Sequence, residues 1–204
     1  MYRETSNAHT RAVQGAKGVF LRKAGDYGAS WRIFRLPSLT DQIFIKARRI
    51  RRLEEMTGRP AVPEGPLEEY QGILNYAVMA LMRLWYPEEL PEIDLAGEPP
   101  AAAVAPEVLS ALYDRVAARL HALMERKNHD YGEAWRGMRL SSITDQILVR
   151  VLRLKHLEDN AGPEADRAEI YADIANYAAF ALIRLAEGSD RDRDTPCHQG
   201  GDVV

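Results

Sequence analysis

Two polar stripes lie where a helix would otherwise bury hydrocarbon. Gln42, Lys46 and Arg49 follow i, i+4, i+7 spacing, which places them on one helical face, and the same pattern returns as Gln146, Arg150 and Arg153. The second set is threaded through Ile147, Leu148, Val149, Val151, Leu152 and Leu154, so its two guanidinium groups sit in a nearly apolar helix and need partners. Glu169, Asp173 and Asn176 repeat the spacing further along, amid Ile170, Ile174, Ala175, Ala178 and Ala179. If these faces meet, one chemistry is a polyanion site. Lys46, Arg49, Arg150 and Arg153 would grip phosphate, while Glu169 and Asp173, with Asp159 nearby, would hold a divalent cation. An all-oxygen ligand set suits Mg²⁺ or Mn²⁺ rather than zinc. The other chemistry is a buried ion-pair network that fixes helix register. Both remain open at the level of sequence.

A second cluster reads Asp-Tyr-Gly-x-x-Trp-Arg-x-x-Arg. It supplies Tyr27, Gly28, Trp31, Arg32 and Arg35, and again Tyr131, Gly132, Trp135, Arg136 and Arg139. Glycine after an aromatic residue suggests a turn with an unusual backbone angle, and flat rings beside arginines could stack a base and hold its phosphates. Alternatively the aromatic side chains plug the end of a bundle.

These clusters recur because the chain is a tandem duplication. Residues 23–55 align without gaps on residues 127–159 with 16 identities in 33 positions. Residues 67–85 align on 168–186 with 10 identities in 19, after a three-residue change of register. The first repeat keeps Glu68 and Asn75 but has Gly72 where the second has Asp173, so a site built on that carboxylate is asymmetric and better formed in the second repeat. The organisation expected is a first helical repeat over 8–86, a proline-rich linker over 87–105, a second repeat over 106–187 and a disordered tail over 188–204.

Each repeat shows three helical patterns and no strand, over about 8–24, 38–55 and 67–86, and again over 107–127, 142–159 and 166–187. Ser-x-x-Asp at Ser38 and Ser142 reads as a variant capping box opening the middle helix. Three helices alone make a thin core, so the expected fold is all-α, with the two three-helix repeats packed as a pseudo-two-fold bundle.

The 204 residues carry a net charge of −3, with 46% apolar and 28% charged residues, a composition that folds and argues against a nucleic-acid coat protein. The basic run Lys46, Arg48, Arg49, Arg51, Arg52 is diluted in its counterpart and reads as an exposed face, again against a nucleic-acid partner. The single cysteine, Cys197, excludes a disulfide framework within the chain, and Cys197 and His198 are given no role. No signal peptide or membrane span is evident, so a cytoplasmic protein without a membrane partner is expected, with homo-oligomerisation left open. No glycine-rich phosphate loop, HExxH or nucleophile elbow occurs.

The DYGxxW segment, the next helix with its basic RLxxLE ending, and the D-I-A-N-Y-A-A-F-A-L helix resemble the bacterial and phage family called nucleotide modification associated domain 1. The two copies cover most of residues 20–187. The resemblance implies a role in nucleotide or modified-base metabolism with a nucleotide partner. The helical pattern is also similar to that of MazG-like nucleoside triphosphate pyrophosphohydrolases, in which carboxylates on adjacent helices bind Mg²⁺ and activate water. On that likeness Glu169 and Asp173 stand at the later acidic motif, spaced ExxxD rather than ExxD, and Glu158, at the end of the preceding helix, would orient water. No E-E-x-x-E occurs there. The alternative is a non-catalytic helical scaffold or a nucleotide-binding accessory protein.

Overall fold

The computed structural model describes residues 2–56, 62–90 and 104–193. The linker prolines at 91, 99 and 100, and the tail residues Cys197 and His198, lie outside the described residues. Among the described residues there are six α-helices and no strand: α1 (Tyr2–Tyr27), α2 (Leu36–Glu55), α3 (Pro66–Trp85), α4 (Pro106–Tyr131), α5 (Leu140–Asp159) and α6 (Glu164–Arg193). Short 3₁₀ turns occupy Ser30–Ile33, Pro87–Glu89 and Ala134–Gly137.

The helices stack as three pairs. The central pair, α3 and α6, is buried along much of its length, with α2 and α5 packed on one side and α1 and α4 on the other. Periodicity explains the outer pairs. In α1 the buried positions are Thr5, His9, Val13, Ala16, Lys17 and Phe20, and in α5 they are Ile143, Thr144, Ile147, Val151 and Leu154, each set recurring once per turn on one stripe. One continuous core joins both repeats, with Tyr70, Tyr113 and Tyr171 fully buried. No helix among the described residues is long and apolar enough to cross a membrane.

The helix ends explain the repeated sequence motifs. Gly28 and Gly132 both take positive φ, +61° and +60°, at the ends of α1 and α4, a conformation that glycine adopts without steric cost. The Gly132 N–H bonds the Asn128 carbonyl at 2.9 Å, closing the last turn of α4. Trp31 and Trp135, in the turns that follow, are buried.

Several helix ends differ from the sequence expectation. The middle helices begin earlier than Ser38 and Ser142: the Arg35 carbonyl already accepts from Ser38 and Leu39, and the Arg139 carbonyl from Ile143. Arg35 and Arg139 are the N-caps, in extended conformation and without a side-chain cap, so the serines lie inside the first turn and form no capping box. α1 starts at Tyr2 rather than near residue 8 because Thr5 and His9 extend its buried stripe. α6 continues through Gly188 to Arg193, into the stretch expected to be tail.

The repeats bond to one another reciprocally. The Tyr70 hydroxyl lies 2.6 Å from Thr144 Oγ1, and its counterpart Tyr171 lies 2.6 Å from Thr40 Oγ1. Asn75 donates to the Ala16 carbonyl and accepts from the Tyr113 hydroxyl, while Asn176 donates to the Leu120 carbonyl and pairs through Oδ1 with His9. Within each repeat, by contrast, Arg83 and Arg184 bond the equivalent carbonyls of Phe34 and Met138.

Candidate functional site

The polar stripes of α5 and α6 meet beside a cavity of about 270 Å³ in the second repeat. Lys127, Asn128 and Tyr131 reach it from α4, Trp135 and Met138 from the turn and the chain after it, Arg150 from α5, and Asp173, Asn176, Tyr177 and Phe180 from α6. The i, i+4 spacing of Asp173 and Tyr177 places both on the face of α6 turned to Arg150. Arg150 Nε donates to Asp173 Oδ2 at 3.1 Å, and Lys127 Nζ bonds the other carboxylate oxygen. The Arg150 guanidinium is further held by Gln146 through its backbone and side-chain oxygens, at 3.2 and 2.7 Å, and stands 4.4 Å from the centre of the Tyr177 ring. The cavity thus combines two cations, one carboxylate, buried amides and aromatic walls.

The rings have separate parts. Trp135 stacks on Phe180 with centroids 4.3 Å apart and planes 4° from parallel, and the Arg136 guanidinium lies 4.7 Å from the Trp135 ring centre. Trp135 therefore builds the wall. Tyr131, on the cavity edge, is 73% exposed.

The equivalent place in the first repeat is filled. Gly72 stands at the Asp173 position, and a Cβ added there would come within 2.5 Å of Lys46 Cε, so the lysine stem occupies that space. Lys46 and Arg49 pair instead with Glu69, at 3.1 and 2.6 Å, and Arg49 also bonds the Glu64 carbonyl at 3.0 Å. Glu69 is only 3% exposed, and its two cationic partners offset the cost of burying it. The asymmetry expected from Gly72 is present, and the first stripe forms an ion-pair network between α2 and α3.

The remaining sequence-chosen residues do not converge on the cavity. Glu158 Oε1 accepts from Thr40 Oγ1 at 2.7 Å and from the Tyr171 hydroxyl at 3.1 Å, at the contact between repeats, and burial pushes its pKa up. Glu169 is exposed in a different groove with Trp85, Arg119 and Arg126. Asp159 and Arg153 are exposed near the end of α5. Arg136 bonds Glu187 and Thr5 at 2.6 and 2.7 Å. Arg139 and Arg35 are exposed helix caps. In the first repeat Trp31 packs edge-on to Phe20, Arg32 is buried and donates to the Ala29 carbonyl with its pKa lowered by burial, and Tyr27 is exposed.

The donor set does not fit a divalent cation. Both Asp173 oxygens are engaged by cationic nitrogens, and among the described residues no three His, Cys, Asp or Glu side chains gather as a metal-holding group.

Sequence reasoning passed over Lys127, Asn128 and Tyr177. Lys127 and Tyr177 carried a signal, because each is identical to its counterpart, Lys23 or Tyr76, and Lys127 lies just before the Asp-Tyr-Gly motif. It also passed over His9, buried against Asn176 with Nε2 2.9 Å from Oδ1, whose pKa burial lowers to about 4.

A family model described as Nucleotide modification associated domain 1 matches residues 23–84 and 127–185, one segment in each repeat. No curated protein and no solved structure matches the chain.

Proposed function

Since the chain belongs to the nucleotide modification associated domain 1 family, we propose that it is a nucleotide-handling protein that binds a nucleotide or modified nucleotide in the cavity of the second repeat. The observation that carries this reading is the meeting of Lys127, Arg150 and Asp173 with Tyr131, Trp135 and Tyr177 around one cavity. Aromatic walls with a few convergent polar groups are what small-ligand sites have in common. Arg150 suits phosphate because its planar fork presents paired donors, and Lys127 adds a mobile point charge. Binding is the activity this arrangement supports, because the carboxylate that would hold a catalytic metal is already shared between two side-chain cations.

A thermal-unfolding panel of the purified chain with nucleosides and nucleoside mono-, di- and triphosphates, each with and without Mg²⁺, tests it. A ligand at about 100 times its Kd stabilises by about 2.7 kcal/mol, which moves Tm by several degrees at this size. A shift with one nucleotide class, lost in Trp135→Ala, is expected. A well-folded sample that responds to none of them favours the scaffold reading, which the Lys46–Arg49–Glu69 network and the reciprocal bonds between repeats support.

A further inference from the structure

Resting on the reading of this cavity as a nucleotide site, we infer that its ligand is a nucleoside monophosphate, taken up without a divalent cation, base inward and phosphate at the rim. Three observations converge. The first is a gradient of polarity with depth. Trp135 and Asn176 are 6% and 5% exposed, while the Arg150 and Lys127 side chains are 22% and 44% exposed. Trp135 and Asn176 form the deep part, and the cations stand nearer solvent, with the Tyr131 ring at the edge. A nucleotide has the same order along its length, from planar base to anionic phosphate.

The second observation is charge. Lys127 and Arg150 face the single carboxylate of Asp173, leaving one net positive charge around the cavity. A phosphomonoester carries about −1.5 to −2 at pH 7, already somewhat more than that one positive charge, so a single phosphate group is the most these side chains come near to balancing. A triphosphate brings more charge, and proteins ordinarily meet it with a metal bridging its phosphates. The side chains around Asp173 do not make such a metal site.

The third is size. At about 270 Å³ the cavity lies at or below the low end of the roughly 300–1,000 Å³ typical of small-molecule pockets. It suits a base with part of its sugar, with a single phosphate meeting Lys127 and Arg150 as it emerges. Further phosphates would extend past both cations into solvent, where added charge gains little.

Isothermal titration of the full chain with a nucleoside and its mono-, di- and triphosphate, with Mg²⁺ and with EDTA, tests the assignment. The monophosphate is expected to bind at least about tenfold tighter than its nucleoside, no weaker than the longer phosphates, and equally well in EDTA. Lys127→Met is expected to remove most of that advantage while nucleoside affinity stays. This lysine is exposed enough that the variant should fold, and its Tm provides the check. Tightest binding of a triphosphate, or binding that requires Mg²⁺, overturns the monophosphate inference and leaves the nucleotide site standing. A folded protein that binds neither nucleoside nor nucleotide overturns the site itself.

Discussion

The Thr40 hydroxyl of the first repeat lies 2.6 Å from the Tyr171 hydroxyl of the second, and both bond the same oxygen of Glu158. Glu158 therefore belongs to the joint between repeats. Tyr171→Phe removes one buried hydroxyl from this set and is expected to cost about 1 kcal/mol in urea unfolding, the usual net worth of such a bond. Tyr70→Phe removes the counterpart against Thr144, and the two costs should add if the sites are independent. No change in either variant would mean that the joint rests on apolar packing alone.

Glu158 also sets a pH dependence. Burial raises its pKa above the ordinary carboxylate value, and this outweighs the opposing bonds from Thr40 and Tyr171. Folding thus favours the protonated form. The stability tied to this group is fully present below the ordinary carboxylate pKa and is lost as pH rises through the raised value. Glu158→Gln keeps an acceptor for both hydroxyls without the charge, so it should be more stable than wild type at pH 8, with the difference shrinking toward pH 4. Denaturant midpoints across that range check it; a variant less stable at pH 8 would show that the charged carboxylate strengthens the joint.

His9 acts in the opposite direction. Its ring is buried against Asn176 Oδ1 and near His121, and burial holds its pKa at about 4, well below the usual 6.5; the Asn176 bond and more distant Glu125 only partly oppose this. Its contribution is complete above pH 6.5, where the unfolded chain is also neutral, and is lost as pH falls toward 4. The full loss is on the order of 3 kcal/mol, from about two and a half pKa units at 1.36 kcal/mol each. The counterpart in the other repeat, Tyr113, donates to Asn75 and stays neutral throughout this range because burial pushes its pKa up. Tm measured from pH 8 to pH 4 should therefore fall more steeply in wild type than in His9→Gln. Parallel curves would assign the acid sensitivity elsewhere.

Much of this architecture could be read from the chain, and the limits have physical causes. Duplication and helical period marked six helices, and Gly28 and Gly132 marked the turns that end α1 and α4, because a left-handed backbone leaves a direct trace in residue type. Pairing Arg150 with Asp173 followed from matching spacings on two helices with otherwise apolar surroundings. Grouping Glu158, Asp159 and Glu169 with them did not follow. Glu169 lies one turn before Asp173 on α6, yet it opens on the groove of Trp85 and Arg119, while Glu158 is drawn to the opposite repeat by Thr40. Spacing along one helix fixes a face; which neighbour covers that face depends on packing between helices. Lys127 was missed for the same reason, since it reaches Asp173 from α4, a helix whose sequence carries no matching stripe.

The difference between the repeats yields a prediction of stoichiometry. In the first, the Lys46 stem lies where Asp173 stands in the second, and both Lys46 and Arg49 are committed to the buried Glu69. The Glu69 side chain is only 4% exposed, against 18% for Asp173, so releasing its cations to a phosphate would leave Glu69 unpaired away from water, a cost of several kcal/mol that one phosphate contact does not offset. Titration with a saturating nucleotide should give one ligand per chain. Two ligands per wild-type chain would show that Glu69 gives up its partners and that the first repeat is also a working site.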